Sequence, residues 1–177
     1  IYATQNTVYS YTLAYNDVDA DDTLTLSNST LPSWLNFDTT TGVLSGTPTN
    51  DNVGTHDVTL TVTDAAGLTD TQSFTITVAN VNDAPTLSPS TVSVSVDENV
   101  DTSTVVYTVS AGDVDVGDTL SYSLGGTDGS LLTIDSTTGE ITLNATPDYE
   151  TKDQYLFSVI ATDAGGLTDS LDVTLDI

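Results

Sequence analysis

Three strings recur along the chain in the same order. DVDADDTL begins at Asp17 and DVDVGDTL at Asp113, 96 residues on. FDTTTGVLSGTP begins at Phe37 and IDSTTGEITLNATP at Ile134, 97 residues on. TVTDAAGLTD ends at Asp70 and IATDAGGLTD at Asp169, 99 residues on. Chance could match one such string, not three in register, so the chain reads as two successive copies of one folding unit. Its 177 residues leave each copy the size of a small domain. The predicted division is 1–81 and 82–177, with the linker NVNDAP at residues 80–85. Asn, Asp and Pro make that linker a fixed, strand-breaking connection rather than a flexible tether.

Within each unit, apolar residues alternate with Ser and Thr in short runs between turn signals. Tyr9, Tyr11 and Leu13 form one run; Val58, Leu60 and Val62 a second; Phe74, Ile76 and Val78 a third. Unit two matches with Val92, Val94 and Val96, then Val105, Tyr107 and Val109, then Phe157, Val159 and Ala161. A period of two with one apolar and one hydroxyl-rich face predicts antiparallel strands in two packed sheets. No amphipathic helix is legible.

The charge is the next constraint. Twenty-six acids face one basic residue, Lys152, for a formal charge of −25. Phosphate backbones and anionic lipid would be repelled, which argues against nucleic acid and membrane insertion. The apolar share of 37% and its regular alternation favour a folded chain over a disordered one. The acids are bunched rather than spread, and bunched carboxylates repel unless a cation binds. There is no cysteine, so neither a disulfide nor a thiolate metal site is possible. Signal peptide and apolar membrane span are both illegible, and both ends are strand-like, so the chain reads as a segment whose targeting signals lie elsewhere.

Unit two resembles a cadherin repeat. The motifs are Asp97-Glu-Asn, Gly112-Asp-Val-Asp, the STTGEI string from Ser136, Asp148-Tyr-Glu and the ATDAGG string from Ala161. NVNDAP resembles the calcium-binding linker between such repeats. Unit one resembles the dystroglycan-type cadherin-like, Ig-like repeat, chiefly through Leu31 to Asp64. Such strings are similar to those of large bacterial RTX-type surface adhesins. The resemblance implies an all-β fold of two tandem Greek-key antiparallel β-sandwiches, cadherin/Ig-like, joined by a short calcium-binding linker.

Strand alternation says where the acids would collect, because successive antiparallel strands put their loops at alternate poles. In unit two, Asp113, Asp115, Asp118 and Asp163 fall at the linker pole, and Glu98, Asp148 and Glu150 at the far pole. In unit one, Asp17, Asp19, Asp22 and Asp64 fall at the free pole, while Gln5 and Asp51 fall at the linker pole. The predicted junction set is Asp51, Asn80, Asn82, Asp83, Asp113, Asp115 and Asp163. The predicted half-sites, completed by neighbouring repeats, are Asp17, Asp19 and Asp64 at one end and Glu98, Asp148 and Glu150 at the other. Six to eight oxygens suit calcium; zinc would want His or Cys, and magnesium a stricter octahedron. Gln5 in place of Glu98, Thr49 in place of Asp148, Asp51 in place of Glu150 and Asn80 in a usually acidic position depart from the cadherin pattern. They imply fewer ions at this junction than between two full cadherin repeats.

The isolated Asp38 and Asp135 read as turn formers. His56, the one histidine, has no sequence partner that would make it catalytic and reads as a surface residue. Trp34 in LPSWL reads as core. Asp148 and Glu150 could pair as hydrolytic carboxylates, but nothing supplies a sugar cleft. The expectation is a non-enzymatic, calcium-stiffened repeat of an extracellular cell-adhesion protein on a bacterial surface, in cell–cell or biofilm adhesion. The alternative is a module that binds polysaccharide or a cell-surface protein, or that pairs homophilically; an exposed aromatic row on one sheet would favour it.

Overall fold

The computed structural model describes residues 1–19 and 22–177. Ala20 and Asp21 of the DVDADDTL string lie outside the described residues. The described chain divides into two compact units, Ile1–Val81 and Asn82–Ile177.

Unit one contains β1 (Tyr2–Thr4), β2 (Tyr9–Thr12), β3 (Thr25–Thr30), β4 (Leu35–Asp38), β5 (Val43–Gly46), β6 (Gly54–Thr63) and β7 (Thr69–Ala79). One sheet has the order β1-β7-β6-β3 and the other β2-β5-β4. The long β6–β7 hairpin pairs from Gly54 with Val78 to Thr63 with Thr69. Its inward positions Val58, Leu60, Ile76 and Val78 meet Leu44 and Phe37 of the opposing sheet, and all are buried. Each such side chain contributes about 1.5–3 kcal/mol on burial.

Unit two contains β8 (Thr86–Leu87), β9 (Thr91–Ser95), β10 (Val105–Thr108), β11 (Ala111–Gly112), β12 (Ser121–Gly125), β13 (Leu132–Ile134), β14 (Glu140–Leu143), β15 (Gln154–Thr162) and β16 (Thr168–Asp176). Its sheets are β12-β15-β16-β9 and β10-β14-β13, with a small β11-β8 pair. Phe157, Val159, Leu171, Val173 and Leu175 pack on Ile141 and Leu143. The fold is all-β, and no helix among the described residues is long and apolar enough to cross a membrane.

Two details differ from simple alternation. The pairs β1–β7 and β9–β16 are parallel, not antiparallel. An opening strand need not be joined to its sheet neighbour by a tight turn, so it is free to lie beside the closing strand in the same direction. In β10 the register shifts between Val105 and Tyr107. That irregularity reverses the parity: Val106 and Tyr107 pack on the core, and Val105, read as inward, is exposed.

Lone residues settle as local chemistry dictates. Asp38 Oδ1 accepts the amides of Thr40 and Thr41, and Asp135 Oδ1 those of Thr137 and Thr138. Both therefore close turns. Trp34 packs partly buried against the unit-one core, edge-on to Tyr9. His56 is half-buried rather than a free surface residue: it meets Trp34 edge-on, and its Nε2 lies 2.7 Å from the Asn52 carbonyl oxygen.

Candidate functional site

The acids of unit two gather because its loops return to two poles. At the pole where the unit begins, the 113–118 loop folds on itself. The Asp113 Oδ1 accepts the Asp115 amide at 2.9 Å, an Asx turn forced by the D-x-D spacing. The Asp118 Oδ1 accepts the Thr119 amide at 2.9 Å. The Asp115 Oδ2 accepts the Asp83 amide at 2.7 Å, which draws the start of the unit onto the loop. Each carboxylate thus has one oxygen on a backbone N–H. The other oxygens, Asp113 Oδ2, Asp115 Oδ1 and Asp118 Oδ2, are buried with no hydrogen-bond partner.

Asp113, Asp115 and Asp118 can each bring a carboxylate oxygen within 4.8 Å of the other two. Asp115 is only 7% exposed. Buried carboxylate oxygens without donors are costly, and three at this separation repel one another. No basic side chain relieves them: Lys152, the sole Lys or Arg, is held by Asp128 at 3.0 Å. The arrangement fits a hard, oxygen-seeking cation and offers no nitrogen or sulfur ligand.

Asp163 stands beside this group in a different role. Its Oδ1 accepts the Leu167 amide at 2.8 Å and its Oδ2 the side-chain amide of Asn82 at 2.7 Å. Burial pushes the Asp163 carboxyl up, but the Asn82 side chain and the amides of Leu167, Gly166 and Gly165 outweigh it and leave the carboxyl below its ordinary range. A Cβ on Gly165 would lie 2.6 Å from the Asn82 side-chain atoms, so only glycine leaves room for this clasp.

At the other pole of unit two, Glu98, Asp148 and Glu150 form a second three-carboxylate group, wholly exposed. Glu98 Oε2 accepts the Tyr149 amide at 3.4 Å. The Thr151 hydroxyl donates to Asp148 Oδ2 at 2.7 Å and, ahead of the opposing effect of desolvation, holds that carboxyl below its ordinary range.

In unit one, Asp17, Asp22 and Asp64 form the third group. Asp19 is outside it, its amide donating to Asp17 Oδ1 at 2.9 Å. Asp51 lies exposed in the short turn Asn50–Asn52, and Asn80 is exposed. Asp51 joins no three-carboxylate group among the described residues. Asp22 and Asp118, which strand direction assigns to the same loops but which the predicted ligand sets omit, each join one of these groups. They occupy the same sixth position of the repeated string, and that coincidence was the signal available.

Residues 1–79 match the family described as Putative Ig domain, and residues 92–177 the family described as Cadherin domain. Human protocadherin gamma-A5 is 35% identical over 130 residues, 69% of this chain and 14% of that protein. Rat cadherin-17 is 40% identical over 94 residues, 53% of this chain and 11% of that protein. The chain therefore spans only 14% and 11% of these relatives' lengths. The structure of human mucin-like protocadherin EC1-2 shares the fold, with a TM-score of 0.73 at 19% identity over 99% of this chain and 93% of that one. Mouse cadherin-23 EC22-24 gives a TM-score of 0.68 at 23% identity over 99% of this chain and 62% of that one.

Proposed function

We propose that this tandem, a Putative Ig domain followed by a cadherin domain, is a calcium-dependent repeat segment of an extracellular adhesion protein. The observation that carries the reading is the group at Asp113, Asp115 and Asp118, with its three buried, donorless oxygens. Cadherin repeats as a family bind calcium, and these residues would hold it, with Asp83 and Asn82 tied to the same pole. A bound divalent cation supplies the positive charge that these carboxylates lack. The side chains do the rest. The Asp113 Asx turn fixes the loop, Asp115 couples it to the Asp83 backbone, and Asp163 holds Asn82. Cation binding and order at the start of unit two are thereby linked.

Within unit two, Asn82, Asp83, Asp113, Asp115 and Asp163 are proposed as one cation-holding pole; within unit one, Asp51 and Asn80 are proposed as ligands at its closing end. The groups at Asp17, Asp22 and Asp64 and at Glu98, Asp148 and Glu150 are proposed as half-sites completed by adjoining repeats. The mechanical role is that of an extender: residues 1–81 and 82–177 as two sandwiches, stiffened where calcium is millimolar. Extracellular calcium modules bind at about 10⁻⁴–10⁻³ M. Placement in a bacterial RTX-type adhesin rests on the motif strings of the two units alone, while the relatives above are animal proteins. Polysaccharide binding gains no support from an aromatic row on one sheet: of the exposed tyrosines Tyr2, Tyr15 and Tyr149, only Tyr2 lies on a strand.

Calorimetric titration with calcium tests the reading. Binding in that range for the native chain, lost in D113A, supports it; absence of binding overturns it.

A further inference from the structure

We infer that Gln5 is a cation-independent latch for the linker, so that unit one fixes its end of the connection without an ion. Gln5 is 2% exposed, among the most buried polar side chains of the chain. Its Oε1 accepts the amide of Val81 at 3.1 Å, across 76 residues of sequence. Its own amide donates to the Ala79 carbonyl at 3.0 Å, so side chain and backbone hold the same departing segment.

The comparison with unit two explains why a neutral amide stands here. Asn6 and Asn99 both have positive φ, 58° and 62°. Their amides make the same 2.8 Å bond, to Pro48 and Pro147. Gln5 therefore precedes its turn as Glu98 does. The preceding strands, however, end at different distances. The parallel ladder of unit one ends at Thr4, immediately before Gln5. That of unit two ends at Ser95, so Val96 and Asp97 intervene before Glu98. Two extra residues carry Glu98 out to the exposed acidic group, whereas Gln5 stays at the end of the sheet, inside. A carboxylate at Gln5 would be buried with no basic residue to meet it, since Lys152 is taken by Asp128. An amide satisfies the Val81 N–H without charge. The linker thus leaves unit one by a protein-only hydrogen bond and enters unit two at acid-bound residues: the Asp83 amide on Asp115, and the Asn82 side chain on Asp163. Only the contrast between the two clasps rests on the calcium reading; the latch itself rests on geometry.

Amide hydrogen exchange, read by NMR on the whole chain in calcium and in excess chelator, tests this. The expected result is that Val81 is protected equally in both, while Asp83 loses protection in chelator. Q5M keeps the volume and removes the acceptor. It should speed Val81 exchange several-fold, up to about tenfold, in both conditions, the scale of one hydrogen bond. Val81 exchanging freely in chelator, or unchanged by Q5M, overturns the latch. If Q5M does not fold, the wild-type comparison decides alone. If Val81 stays protected and Asp83 ignores calcium, the latch stands and the calcium reading falls.

Discussion

Three carboxylates in one loop of six residues, each with one oxygen committed to a backbone N–H, decide what the 113–118 segment can do. Asp113→Ala removes both the Asx turn and a donorless oxygen. It should weaken calcium binding by more than about tenfold, the lower end of what even outer-shell changes cause. Asp38→Ala, which only opens a turn, should leave the affinity unchanged; equal losses in a titration would remove the site assignment. Asn82→Ala tests Asp163 separately. Without the side-chain amide, burial is opposed only by backbone donors, so the Asp163 carboxyl should titrate higher in a carboxylate NMR titration. The folded value lies below the ordinary one, so the contribution to stability is complete above the ordinary carboxylate range and is lost as pH falls through the depressed value. Asp169 behaves alike, its carboxyl lowered first by the Leu87 amide and then by that of Ser170. Acid should therefore loosen the start of unit two at Asn82 and Leu87. An Asp163 resonance that ignores Asn82→Ala would contradict the clasp.

At the scale of the element, what the sequence made legible is what periodicity controls. The β6–β7 hairpin and strand β15 follow from strict alternation. Residues that depend on an insertion or a register shift were not legible. Val105 turned outward because of the irregularity before Tyr107. Gln5 and Glu98 occupy matched places in a turn but lie at different depths, because the strands before them end two residues apart. Asp118 and Asp22 were visible as repeated acids, yet only closure of the loop shows that they face the same space as their partners. Close approaches were likewise hidden. A Cβ on Gly165 would displace Asn82, so Gly165→Ala should lower calcium affinity while the unfolding midpoint in chelator changes little. A Cβ on Gly46 would lie 2.1 Å from the Trp34 carbonyl oxygen, where backbone has to move. Gly46→Ala should therefore destabilise unit one by about 2 kcal/mol or more in denaturant unfolding, with calcium affinity unaltered. Loss of affinity there, or retention in Gly165→Ala, would contradict the division of labour between units.

For the molecule as a whole, a charge of −25 with one lysine makes cations part of its energetics. The carboxylates are concentrated at loops between strands, whereas the sheet interiors are apolar and need no ion. Chelation should leave both sandwiches folded and weaken the loops that join and cap them. The most direct measurement is thermal unfolding of the chain in millimolar calcium, in millimolar magnesium and in excess chelator. Ions that bind the native state raise its midpoint by mass action. A calcium-specific rise is expected, largest for unit two and abolished by Asp113→Ala. Identical midpoints in calcium and chelator would contradict it, and would leave the acidic loops as surface charge alone.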